Sequence, residues 1–133
     1  GRPLAVHVRA ALAANAMFYR HFSSPSASRG DAGAMIPGAT TINPGGRCCK
    51  AADALESTPH FRRNFSRAGR PCPIDCVQQI WHVDDALATV TCTELFGMNV
   101  VETVNVYELR GGAWQMVHHH SGNYQVVSSA GTA

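Results

Sequence analysis

Three adjacent histidines, His118, His119 and His120, stand near the end of the chain, downstream of Glu94, Asn105 and Tyr107. These residue types move or hold protons. Imidazole titrates near neutrality, a carboxylate is poised by burial, and amide and phenol groups orient a substrate oxygen. If residues 114–120 form a strand, neighbouring side chains point to opposite faces, so the three imidazoles cannot make one cluster. Uninterrupted alternation puts His118 and His120 with Trp114 and Met116, and His119 with Val117. A catalytic base on this strand is then expected to be His118 or His120. Two other readings stand beside it: structural or interface histidines, and a His-x-His metal pair completed by Glu94 or His82. No third ligand stands at metal spacing, so no metal is expected.

The same alternation sorts the neighbouring segments. Ala88, Val90, Cys92, Glu94 and Phe96 share one face, which sets a carboxylate in apolar company. Burial there would raise its pKa; the plainer reading is a solvated strand end or an arginine pair. Asn105 falls with Val101, Thr103, Tyr107 and Leu109. Asn105, Tyr107, Glu94 and Trp114 are therefore the expected ligand contacts, with cross-strand structural pairing as the alternative for the polar ones. Asp84 and Asp85 sit in a turn and Asp75 opens a strand. No Ser-His-Asp order, phosphate-cradling glycine loop or dinucleotide fingerprint is present, and no cofactor is implied.

The elements that must position these groups are legible at both ends of the chain. Residues 4–22 read as a helix. Six alanines lie between positions 5 and 16, and Val8, Ala11, Leu12, Asn15, Tyr19 and Phe22 form one stripe with Phe18 beside it. Ser23-Ser24-Pro25-Ser26 ends it. From Ser23 to Pro73 the pattern weakens into Gly, Pro and Ser, and only Lys50 to Phe65 has helical character, interrupted by Pro59. Four β-patterned runs follow: Ile74–Val83, Ala86–Phe96, Val100–Leu109 and Trp114–His120. Turn residues separate them closely, so consecutive strands pair antiparallel as a meander. Helix first and strands last gives an α+β domain.

Composition bounds the function. A chain of 133 residues, 45% hydrophobic and 15% charged, suits a single globular domain over 1–133. A net charge of +2 gives no reason to expect nucleic acid or an anionic membrane as partner. Arg62, Arg63, Arg67 and Arg70 read as a solvated helix end or loop. The five cysteines form no disulfide framework. Cys72 and Cys76 lack a second pair for zinc, and Cys92 reads as a small buried hydrophobe. Asn64-Phe65-Ser66 is a glycosylation triplet that matters only in a secreted protein. No apolar run is long enough to span a bilayer. The compartment is not named by the sequence; with no visible targeting signal, a soluble cytoplasmic protein is the expectation, although the chain opens at Gly1 rather than Met.

The run Ala88-Thr-Val-Thr-Cys-Thr-Glu94, then Thr103-Val-Asn-Val-Tyr107, then Gly111-Gly-Ala-Trp-Gln-Met-Val-His-His-His120 resembles the SnoaL-like (nuclear transport factor 2-like) family in order, spacing and residue type. The likeness covers residues 74–121, and Ala16-Met17-Phe18-Tyr19 is similar to the family's first helix. The middle departs from it. Ile42-Asn43-Pro44-Gly45 stands where members often have Ile-His-Pro-Gly, residues 47–65 match the third helix loosely, and Ser121-Gly122 replaces Ala-Ser. Residues 23–73 thus match weakly, and 122–133 are expected to be a tail.

The resemblance implies a cone-shaped, bent antiparallel sheet with N-terminal helices around an apolar cavity, and often a homodimer through the sheet. Family members include isomerases, cyclases and dehydratases acting on hydrophobic carbonyl compounds, as well as ligand binders and association modules, so the fold alone names no reaction. A hydrophobic small molecule is the implied partner. The alternative is a non-catalytic homodimerisation module.

Overall fold

Proline at position 3 has no backbone N–H to lose at a helix start, and its carbonyl accepts the amides of Val6 and His7 at 3.0 and 3.3 Å. From there the alanine-rich segment runs as α1, Leu4–Phe22. The computed structural model describes residues 3–22, 35–42, 48–50 and 74–123. Past Lys50, which is in a strand, the expected helical character of 50–65 lies outside them, as do the Asn43-Pro44-Gly45 motif, Cys72, the arginine cluster, the glycosylation triplet and residues 124–133.

Among the described residues six strands follow the helix: β1 Met35–Ile42, β2 Cys49–Lys50, β3 Asp75–Val83, β4 Leu87–Phe96, β5 Asn99–Arg110 and β6 Ala113–Asn123. They form one open sheet in the order β2-β1-β6-β5-β4-β3. The four-stranded meander of β3 to β6 is the one the turn chemistry predicts, within one to three residues at most ends. Asp84 Oδ1 accepts the amides of Ala86 and Leu87 at 2.8 and 2.7 Å, closing the β3–β4 turn. Gly111 and Gly112 both take positive φ, 57° and 80°, as a two-residue type I′ hairpin requires between β5 and β6.

Two features depart from the sequence reading. β1 and β2 occupy part of the weakly patterned middle, and β1 pairs parallel to β6, so the sheet is mixed rather than wholly antiparallel. β6 also runs to Asn123, taking in the first two positions expected to belong to a tail.

A further departure, a β-bulge in β6, decides the site. Along β5–β6 the partners run Val106↔His118, then Tyr107↔Met116, which leaves Val117 as an extra residue. A β-bulge of this kind resets the alternation. Trp114 and Met116 face inward before it; His119 and Ser121 face inward after it. The expected shared face of His118 and His120 with Trp114 and Met116 therefore does not occur. His120 is exposed, and His118 is half-buried on the outer side.

Helix α1 packs across the inner face against β3, β4 and β6. Its buried stripe is His7, Ala11, Asn15, Phe18 and Tyr19, at helical spacing. Opposite it the sheet contributes Ala88, Val90, Cys92, Tyr107, Trp114 and Met116. His7 meets Trp114 edge to face at 5.7 Å. Truncating this layer should be costly. Met116→Ala, at a position 0% exposed, is expected to lower the unfolding free energy by about 2–5 kcal/mol. Ile80→Ala, 63% exposed on edge strand β3, should stay within about 0.5 kcal/mol; urea denaturation of both variants checks the contrast.

Candidate active site

Between α1 and the sheet lies a cluster of buried polar side chains joined by hydrogen bonds. Asn105, on the inner face of β5, is at its centre and is 0% exposed. Its amide nitrogen donates to Asn15 Oδ1 at 2.9 Å and to Tyr19 Oη at 3.0 Å, both on α1. Its oxygen meets His119 Nδ1 at 2.6 Å. Because an amide oxygen only accepts, His119 must carry its proton on Nδ1, which leaves the lone pair on Nε2.

The circuit continues in two directions. Tyr19 Oη donates to Glu94 Oε2 at 2.6 Å, and Tyr107 Oη donates to Asn15 Oδ1 at 2.7 Å. Asn15 Nδ2 reaches Cys76 Sγ at 3.6 Å, and Cys92 Sγ lies 3.2 Å from Tyr19 Oη. Both amides thus have their oxygens occupied and their nitrogens donating, which is what makes so much buried polarity tolerable. Among the described residues, the buried hydroxyl of Thr103 on β5, near Glu94, has no hydrogen-bond partner. It still lies close enough to favour the ionised carboxylate of Glu94 slightly.

Burial sets the charge states. Desolvation pushes His119 down to about 3, helped by the neighbouring His118 and His120, so the imidazole is neutral at physiological pH. Desolvation raises Glu94 against the opposing hydrogen bond from Tyr19 and the nearby Thr103 hydroxyl. Burial also pushes the phenols of Tyr19 and Tyr107 up, which keeps both as O–H donors. The site therefore holds a neutral base, a carboxyl group biased toward protonation and two phenol donors. The ring of Phe18 lies 5.1 Å from that of His119 and adds an apolar wall.

Of the residues singled out from the sequence, Glu94, Asn105, Tyr107 and Trp114 all face inward and are buried. Trp114 stands with the apolar layer, and the other three belong to the hydrogen-bonded cluster. His118 and His120 are across the sheet from it, 6.1 Å apart, with His118 Nδ1 2.7 Å from Thr40 Oγ1 on β1. Among the described residues they meet no further His, Cys, Asp or Glu in a metal-holding group. Two shallow recesses border β3. One is lined by Leu4, Val8 and Trp81 and the other by His82, Asp84 and Leu87, and neither includes a residue of the cluster.

Sequence reasoning missed the contributions of His119, Asn15, Tyr19 and Thr103. Asn15 carried a usable signal, as an amide in the middle of an apolar helical stripe. His119 carried none, because its inward placement depends on the bulge.

A helix laid on the inner face of an open mixed sheet, with its core between them, also occurs in solved structures. A candidate dehydratase of the NTF2-like family from Streptomyces avermitilis superposes with a TM-score of 0.73 at 16% identity, over 93% of this chain and 100% of that one. The chain has the nuclear transport factor 2-like fold. An NTF2-like protein of unknown function from Pseudomonas putida KT2440 gives a TM-score of 0.72 at 14% identity, over 97% of this chain and 94% of that one. A candidate calcium/calmodulin-dependent protein kinase type II association domain from Thiobacillus denitrificans gives 0.64 at 22%, over 86% and 94%. No protein-family model and no curated protein matches the sequence. At these identities the shared property of the NTF2-like proteins is the fold.

The opposed shifts predict opposed pH effects on stability. His119 is depressed from 6.5 to about 3, so the stability linked to its neutral form is present above pH 6.5 and is lost as pH falls toward 3. At 1.36 kcal/mol per unit that loss is on the order of 4–5 kcal/mol. Glu94 is raised above 4.5, so its contribution is complete below that value and is lost as pH rises through the folded pKa. In urea titrations at stepped pH, His119→Gln should flatten the acidic fall by up to one proton, and Glu94→Gln should flatten the loss on the alkaline side.

Proposed function

We propose that this NTF2-like domain binds a hydrophobic, carbonyl-bearing small molecule at its concave face and transfers a proton on it, as an isomerase, cyclase or dehydratase does. One observation carries the reading: the buried circuit His119–Asn105–Tyr19–Glu94, set in an apolar layer. The expectation of a histidine base is kept, but the bulge moves it from His118 or His120 to His119. His119 Nε2 is the proton acceptor, with Asn105 fixing its tautomer. Glu94 and Tyr19 stabilise the oxygen that gains charge, and Thr103 supplies a further hydroxyl on the same face. The names of two structural relatives agree with this chemistry: the candidate dehydratase above and a candidate ketosteroid isomerase from Parabacteroides distasonis, which superposes with a TM-score of 0.60 at 13% identity over 88% of this chain.

A second reading has an observation of its own. The outer face exposes Ile80, Leu95, Val100 and Val104, at 63%, 37%, 40% and 38%. Apolar surface of this kind on one sheet face fits a homodimer formed through the sheet. The name of the association-domain relative points the same way. Dimerisation is compatible with a ligand site inside the cone, and a dimer without ligand binding would make the chain an association module.

Thermal shift with hydrophobic ketones, lactones and aromatic polyketide-like compounds tests the first reading. A ligand specific for the folded state should add about 2.7 kcal/mol of stability at a hundredfold excess over its dissociation constant. The gain should shrink in Tyr19→Phe and His119→Gln and persist in His118→Gln and His120→Gln. A gain that instead depends on His118 and is indifferent to His119 would refute the assignment. Light scattering tests the second reading: Val104→Asp should convert a dimer to monomer and leave ligand binding in place.

A further inference from the structure

We propose that Cys76 and Cys92 form a dithiol that a hydroperoxide oxidises to an intramolecular disulfide within the concave face. The two residues sit on neighbouring strands as diagonal neighbours, both turned inward toward α1. Each is tied to the polar cluster, Cys76 through Asn15 Nδ2 and Cys92 through Tyr19 Oη. Both are reduced in this structure. The proposal rests on this geometry and is independent of the ligand reading above.

The pair is asymmetric in the way stepwise oxidation requires. Cys76 lies half-buried on β3, an edge strand among the described residues, and is the more exposed of the two thiols. The Cys92 thiol and the Asn15 amide both donate toward its sulfur and hold its pKa below the usual thiol value, so the nucleophilic thiolate is favoured there. Cys92 is 2% exposed and its pKa is pushed up, so it keeps its proton until a partner sulfur is oxidised beside it. In the first step the Cys76 thiolate attacks the terminal oxygen of the hydroperoxide. The O–O bond breaks, an S–O bond forms, and the alkoxide or hydroxide leaves with a proton from solvent. In the second step Cys92 loses its proton and its sulfur displaces hydroxide from the Cys76 sulfenic acid. An S–S bond forms and water departs.

Strand geometry sets the one requirement. Cys76 pairs directly with Glu94, so Cys92 is its diagonal neighbour on the inner face. Diagonal Cα atoms stand about 7–8 Å apart, more than a disulfide spans without backbone movement. β3 has the slack to close that gap. Between Val77↔Thr93 and Ile80↔Thr91 it carries Gln78 and Gln79 opposite the single residue Cys92. Gln78 takes a positive φ of 54°, and no described strand pairs with the far side of β3. Closing the bridge would replace the acceptor of Asn15 Nδ2 with a poorer one and loosen Cys92 from Tyr19, so the oxidation state would be read directly by the buried cluster.

The sequence makes the test direct. Cleavage on the amino side of Asp75, Asp84 and Asp85 places Cys72, Cys76 and Cys92 on three separate peptides. Reduced full-length protein is treated with equimolar hydrogen peroxide, alkylated and mapped by mass spectrometry. The expected product is the peptide beginning at Asp75 joined to the one beginning at Asp85, lighter by two hydrogens than their sum and separated again by dithiothreitol. Cys92→Val should abolish the link and drive Cys76 onward to sulfinic acid. In the unsubstituted protein, sulfinic acid at Cys76 beside alkylated Cys92 would overturn the proposal, and so would a link from Cys76 to Cys72.

Discussion

The hydrogen bonds of Asn105 are the constraint around which the inner face is arranged. One side chain on β5 ties two α1 residues, Asn15 and Tyr19, to His119 on β6. Apolar packing alone would let the helix slide along or rotate over the sheet with modest loss. Paired amides do not, since a displaced helix would leave buried donors and acceptors unmet, at about 1–3 kcal/mol each. The circuit therefore fixes the position of the helix, and the helix in turn fixes Tyr19 over Glu94. Placement and chemistry come from the same bonds.

Electrostatics follow from the same arrangement. Among the described inner-face residues, burial drives both the Glu94 carboxyl and the His119 imidazole toward their neutral forms. A neutral imidazole and a carboxyl biased toward protonation coexist without an ion pair because Asn105 and Tyr19 stand between them. Separating an acid and a base by uncharged donors keeps both available, whereas direct contact would let them neutralise each other. The outer face is different in kind. His118 and His120 there are more exposed and sit amid β-branched residues, a composition suited to contact rather than to proton transfer.

Much of this was legible in the sequence, and the failures have specific causes. The meander could be read because its turns carry strong local chemistry, as at Asp84 and Gly111-Gly112. The inward faces of β4 and β5 followed from period-two alternation, which holds along Ala88 to Glu94 and Val101 to Tyr107. β1 could not be read: it contains Pro37 and Gly38, and it is held by tertiary pairing to β6 rather than by local propensity. Of the triple histidine, the wrong members were expected inside because alternation counts residues, and Val117 adds one that the ladder does not. Asn15 and Tyr19 were placed on the correct helical stripe, but no pattern in the sequence says which strand residues they will meet.

The parallel seam between β1 and β6 bears on how the chain reaches this state. The meander pairs residues close in sequence, whereas Thr40 and His118 are 78 positions apart. Joining distant segments costs loop-closure entropy before any contact repays it, so such pairings form late. The histidine strand is thus expected to pair with β5 before β1 encloses it. Without β1, β6 would itself be a bare sheet edge carrying the imidazoles, and the pairing with β1 converts that edge into interior.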